Sequence, residues 1–183
     1  MPLSKPSTRK MLHLRDITLR GYEREDGMIE VEAHMTDTKS HSLSMRDRGG
    51  LSAGEPMHDM WLRVTVSPEM TIMAAEAAMD ATPHNVCPQV AANYERLVGL
   101  NIGKGYLKGA MQRLGGVEGC THLRELLQQV GTVAFQTLLS VRGQQTKERA
   151  PERRIHPGLL NTCYTYNENG ALAARYKAET AAE

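Results

Sequence analysis

Two of the three cysteines stand where a helix is expected to begin. Cys87 precedes Pro88, and Cys120, in Gly119-Cys120-Thr121-His122, precedes Thr121, a natural N-cap. A helix N-terminus presents unpaired amide donors and a positive dipole end, which favour thiolate over thiol. A thiolate attacks electrophiles and binds soft metals. Cys87, Cys120, His122 and Cys163, with His58 as a substitute, make a candidate ligand set of the kind zinc or iron takes. The spacing is scattered, with no Cys-x-x-Cys and no His-Glu-x-x-His. The ordinary role of such a cysteine is that of a small buried apolar residue.

A second set is built from histidine and carboxylate. His34, Asp37 and Lys39 are followed by a polar stretch holding Arg46, Asp47 and Arg48, and then by His58-Asp59 and Arg63. Histidine moves protons near neutral pH, and arginine grips carboxylate or phosphate in a fork. The catalytic candidates are therefore His34, His58, Asp37 and Asp59, and the substrate-binding candidates Arg46, Arg48, Arg63 and Lys39. His34 falls on the wet side of its strand, so a solvated sheet face also accounts for it. A loop folded over that face would make a covered pocket of His34, Asp37, Arg46, Asp47 and Arg48. His58 and Asp59 are neighbours on a strand and must point to opposite faces, so they cannot share a metal. The plain role of His58 is a buried, hydrogen-bonded residue.

Nucleotide binding lacks its marks, since neither Gly103-Lys104-Gly105 nor Gly115-Gly116 forms a phosphate loop. No Gly-x-Ser-x-Gly elbow is present either.

These residues need elements to hold them. Residues 1–10 carry two prolines and no periodicity and are expected to be disordered. Leu12, Leu14, Ile17 and Leu19 suggest an irregular strand, and Glu23–Gly27 a turn. Ile29, Val31, Ala33 and Met35 alternate with Glu30, Glu32, His34 and Thr36, which predicts a half-buried antiparallel strand. Residues 38–56 have no apolar period; a loop that long either serves a site or is disordered. His58, Met60, Leu62, Val64 and Val66 alternate again, and residues 70–79 read as a strand with a helix as the alternative. From residue 83 the period becomes helical, predicting helices over about 86–98, 104–114 and 121–141, the last interrupted by Gly131. Residues 143–154 read as a linker, 161–166 and 171–175 as a final hairpin, and 177–183 as a frayed end. The fold class is α+β: an antiparallel sheet of hairpins covered by about three helices from the second half of the chain, in a single domain over 11–176.

The 183 residues carry 22 Lys+Arg against 21 Asp+Glu, a formal charge of +1 that argues against a nucleic-acid module. No run approaches the ~18 apolar residues of a membrane span. The start has charge but no following apolar run, so a secretory leader is not expected. Three cysteines are too few, and odd in number, for a secreted disulfide scaffold. The 11 methionines against 4% aromatic residues predict a methionine-filled core, with a methionine-lined site as the sharper alternative. A cytoplasmic protein binding a small molecule is expected, with no nucleic-acid or membrane partner and a homodimer left open.

Several strings carry a resemblance: His34-Met-Thr-Asp-Thr-Lys39, Arg46-Asp-Arg-Gly-Gly50, Gly54-Glu-Pro-Met-His-Asp-Met-Trp-Leu-Arg63, Cys87-Pro88, Leu97-Val-Gly-Leu-Asn-Ile-Gly103 and Arg113-Leu-Gly-Gly-Val-Glu-Gly-Cys-Thr-His-Leu123. They resemble a bacterial family known as domain of unknown function 2889, over about residues 12–141. The tail around Thr162-Cys163 is similar more loosely, with Tyr164 where histidine is expected. The resemblance implies bacterial origin, a place among catabolic genes and no agreed activity. In architecture alone, strands followed by helices with three spread cysteines is similar to the iron–sulfur scaffold fold, whose own strings are absent.

The leading expectation is a cofactor-free or metal-dependent lyase, isomerase or hydrolase acting on a small organic molecule. The alternatives are a metal or iron–sulfur carrier using Cys87, Cys120 and Cys163, and a ligand-binding or assembly module without catalysis.

Overall fold

The computed structural model describes residues 3–103, 105–145, 155 and 159–181. The chain forms two compact units, residues 1–142 and 143–183. In the first, strands β1 (His13–Glu23), β2 (Ile29–Lys39), β3 (Pro56–Val66) and β4 (Ile72–Ala81) make an antiparallel sheet in the order of the chain. A 3-10 segment, Cys87–Leu97, follows, then helices α1 (Tyr106–Leu114) and α2 (Thr121–Gln145). The fold is α+β, as the patterning implies. No described helix is long and apolar enough to cross a membrane.

Alternation decides which face is buried. Ile29, Val31, Ala33 and Met35 of β2 and Met60, Leu62, Val64 and Val66 of β3 form one face, each at most 1% exposed. Leu123, Leu126, Leu127, Val130, Ala134 and Leu138 of α2 share the core with them, as do Tyr94, Leu97, Tyr106, Ala110 and Leu114. The opposite face stays wet. Two methionines, Met35 and Met60, lie opposite each other in this core, where an unbranched side chain fills gaps a branched one would leave.

Several local expectations are corrected or narrowed. In β1 the inward set is Ile17 and Leu19, in step with Arg15, while Leu12 and Leu14 are 55% and 42% exposed. Residues 87–97 wind as a 3-10 helix, whose three-residue turn lines up Ala91, Tyr94 and Leu97. Residues 38–56 are folded: Leu43 and Leu51 bridge each other, and Leu51 is 2% exposed. In the second unit, the expected hairpin is a set of turns over 159–170 followed by helix α3 (Ala171–Ala181). Asn161 N–H donates to the Tyr166 carbonyl at 2.9 Å, and the alanine-rich run after Gly170 then follows its helical propensity. Residues 143–145 belong to α2, and the remainder of the expected linker, 146–154, lies outside the described residues.

Two glycines let α2 come close. A Cβ at Gly21 of β1 would lie 1.9 Å from Thr137 Oγ1. A Cβ at Gly131 would meet the Tyr106 ring at 3.2 Å. The Tyr106 hydroxyl is buried there with no hydrogen-bond partner among the described residues. Gly21→Ala is expected to cost about 1–3 kcal/mol by overpacking. Part of this should return in the Gly21→Ala/Thr137→Ala double variant, read from urea midpoints. Tyr106→Phe removes an unsatisfied hydroxyl and should leave stability unchanged or raise it by up to ~1 kcal/mol in the same assay.

Candidate functional site

At one end of the buried face the apolar rows give way to a polar row. Arg15 of β1 lies opposite Asp37 of β2, and Asp37 opposite His58 of β3. The row beside it is Ile17, Met35 and Met60, so the polar row continues the inward parity of each strand. The register of β2 against β3 shifts immediately after Asp37, where the pairing with β3 nears its end.

Asp37 is the hub, 1% exposed. Arg15 grips it in a fork, Nε to Oδ1 at 2.8 Å and Nη2 to Oδ2 at 2.7 Å. His58 Nδ1 donates to Oδ2 at 2.9 Å, and His13 Nε2 lies 3.2 Å from Oδ1. A fourth element, helix α2, then closes on the row. The first turn of α2 brings His122, whose ring lies 3.9 Å from that of His58 at a 37° tilt, and whose Nε2 lies 4.0 Å from Asp37 Oδ2. The same turn brings Glu125, which also accepts from Arg15. Cys120 Sγ is 3.9 Å from His122 Nδ1. The start of α2 is pinned by the buried Tyr94, whose hydroxyl donates to the Cys120 carbonyl at 3.1 Å. That carbonyl also accepts the helix bond from Arg124 N–H. Asp37 and His58 form the floor, while His13, Arg15 and His122, at 37%, 29% and 28% side-chain exposure, form the mouth.

Burial alone would raise the carboxyl of Asp37, but the Arg15 fork and His58 outweigh it and hold the pKa at about 2. Burial, and then the facing His122, push His58 below its ordinary 6.5. Burial and the Arg15 charge do the same to His122. At neutral pH the centre therefore holds a carboxylate and two neutral imidazoles, each with a nitrogen lone pair. Such groups take protons, polarise bonds or coordinate metal ions.

The sequence-predicted residues separate into two groups. His58, Asp37, Cys120 and His122 meet at the cluster. His34 and Asp59 do not: they sit on the wet face, where His34 Nε2 donates to Asp59 Oδ1 at 2.6 Å and the ring stacks on Trp61 at 3.6 Å. A pocket joining His34 to Asp37 is ruled out by parity, since the two point to opposite faces of β2. Arg63 is also on the wet face, paired with Glu32 at 2.7 Å and Glu76 at 3.5 Å. Arg48 is held inside its own loop by Glu55 and the Pro56 carbonyl, at 2.7 and 2.9 Å. Asp47 faces His84 and Asn85. Arg46 is exposed in the same loop, and Lys39 stands opposite His13, two pairs beyond the Arg15–Asp37 pair. Among the described residues, the group close enough to share an ion is Asp37, His58 and His122, so neither Cys87 nor Cys163 joins it. Cys163 is exposed and belongs to the second unit.

Arg15, His13 and Glu125 are the residues that sequence reasoning passed over. A signal was present for Arg15: it shares the parity of Ile17 and Leu19, as Asp37 shares that of Met35 and His58 that of Met60. Ionisable groups in step with the apolar face of three strands are costly to bury unless they meet. Glu125 carries no such mark, because its meeting with Arg15 depends on where α2 docks.

Fold and site together define an α+β protein with a four-strand meander and a buried carboxylate–imidazole cluster beneath the start of its longest helix. The chain belongs to the family described as "Protein of unknown function (DUF2889)", whose model matches residues 13–136 and so contains every residue of the cluster. No curated protein and no solved structure matches the chain.

The shifts make stability fall in two steps on acidification. The unfolded chain takes protons on His58 and His122 before the folded one does, so stability drops as pH falls below about 6.5. Asp37, ionised in the folded state down to about 2, adds a second loss as pH falls from ~4 toward that value. Urea midpoints measured from pH 8 to 3 should show both arms. Arg15→Gln should shrink or invert the lower arm, because without that cation burial raises the folded-state Asp37 carboxyl toward or above its unfolded value.

Proposed function

We propose that the chain is an enzyme acting on a small organic molecule, with the inner-face cluster as its centre and lyase, isomerase or hydrolase chemistry. His58 and His122 are the acting groups. Asp37 orients His58 and holds its Nδ1–H, and the substrate enters past His13, Arg15 and His122. The carrying observation is the burial of Asp37 at 1% exposure in a row that apolar residues could fill. A buried ion pair is often no more stabilising than well-packed hydrophobic residues of similar volume, so fold stability alone does not call for Arg15, Asp37 and His58. Three strands and a helix converge ionisable groups at one partly open point, which is the arrangement of a working site.

The metal or sulfur carrier built on Cys87, Cys120 and Cys163 has less support, since these thiols form no cluster among the described residues. The test is a substrate screen of small carboxylic acids, esters, amides and sugar phosphates, read by mass spectrometry. At least one compound should be consumed by the wild type, with the rate falling at least about a hundredfold in His58→Gln and staying near wild type in His34→Gln on the opposite face. A compound that binds and returns chemically unchanged would make the protein a binding module. Consumption that survives His58→Gln would move the chemistry elsewhere.

A further inference from the structure

We infer that Asp37, His58 and His122 form a binding site for one divalent first-row transition ion, of the class zinc, iron, manganese or cobalt. The inference rests on the reading of this cluster as the working centre and names the ion it would use. Three observations carry it.

The first is the donor set. Two imidazoles and one carboxylate, from β2, β3 and α2, offer ligand atoms that all lie within 4.8 Å of one another. Nitrogen with one oxygen suits these ions better than calcium or magnesium, which prefer all-oxygen shells.

The second is spacing. His122 Nε2 stands 4.0 Å from Asp37 Oδ2, too far for a hydrogen bond, and the two imidazoles face each other at 3.9 Å. With metal–ligand bonds of about 2.1 Å, tetrahedral ligands stand roughly 3.4 Å apart. A closure of about half an ångström between His122 Nε2 and Asp37 Oδ2 would turn that gap into a coordination distance. Cys120 lies on the Nδ1 side of His122, where a thiol acceptor leaves Nε2 to face Asp37. Cys120 is thus an outer partner of His122 rather than a ligand.

The third is charge. Two carboxylates, Asp37 and Glu125, both pair with the guanidinium of Arg15, which offsets one of their two charges. Such a site draws a cation. It also has a device for the state without one: Arg15 covers Asp37 and has Glu125 as a second partner to hold it when an ion takes Oδ2.

The test uses the full chain stripped with a chelator and titrated with Zn2+ by calorimetry and with Co2+ by absorption. One ion per chain is expected, and the Co2+ spectrum should show no thiolate charge-transfer band. His58→Gln and His122→Gln should each weaken binding at least about a hundredfold, while His34→Gln and a Cys87→Ser/Cys163→Ser variant retain it. Arg15→Met, which removes the competing cation, should tighten binding by about tenfold; a merely structural role for the cluster would not produce that gain. Circular dichroism of each variant identifies any that fail to fold, and Arg15→Met together with the cobalt spectrum then decides the matter. Binding unchanged in a folded His58→Gln or His122→Gln, no saturable site, or a cobalt spectrum with a thiolate band overturns the proposal. Turnover by chelator-stripped protein that His58→Gln still abolishes would remove the ion and keep the enzyme. An ion bound as described by a protein that transforms no compound would keep the ion and remove the enzyme.

Discussion

A carboxylate taken out of water must be met on every lone pair, and Asp37 is the point where this fold satisfies that demand. At 1% exposure it cannot rely on solvent, so the Arg15 fork and His58 donate to its oxygens, and His13 Nε2 stands 3.2 Å from Oδ1. Each partner comes from a definite place. Arg15 and His58 are its cross-strand neighbours, and His13 sits one inward position before Arg15 on β1. Once these are in place the register of three strands is settled, because a slip of one residue would leave a buried charge alone.

The apolar rows make the same demand from the other side. Val31, Ala33, Val64 and Leu62 are buried to 0–1% exposure, and a slip would turn them to water. Packing and electrostatics therefore select one pairing, and the polar row is held to the precision of the core beside it. That is a rigid setting for reactive groups, since side chains on paired strands are better positioned than those on a loop. His122 and Glu125, with Cys120 beside them, come from outside the sheet. Their placement rests on α2, which is seated by its leucines, by the Tyr94 hydroxyl on the Cys120 carbonyl and by the close approach at Gly21 and Gly131.

The two faces of the sheet divide the polar residues into different environments. On the wet face, His34, Asp59, Trp61, Glu32 and Arg63 stack and pair where water screens every charge, and a depression of about 180 Å³ lies among Glu32, Trp61, Arg63 and Glu76. Such exposed pairs contribute little each. On the inner face Asp37 and His58 are desolvated, and burial together with their charged neighbours moves their proton affinities. The adjacent pair His58 and Asp59 shows the division: one side chain enters the cluster and the other faces solvent, as strand geometry requires.

Strand alternation along 29–37 and 58–66 and the helical period of 121–141 are local properties of the chain, so the sheet, its covering helix and the α+β class were legible in the residues alone. So was the inward parity of His58. The C-terminal hairpin expectation fails because a run as short as Ala171 to Arg175 carries no period that separates a strand from a helix until neighbours choose. Cys120 and His122 could be placed at a helix start from Thr121, but not their nearness to Asp37 and His58, which stand 85 and 64 residues from His122 in the chain. Sequence pattern determines which side of an element is apolar, because that follows from backbone geometry repeated every two or 3.6 residues. Which ionisable groups share a buried point is decided by how strands align and where α2 docks, and these come from packing free energy summed over the whole core.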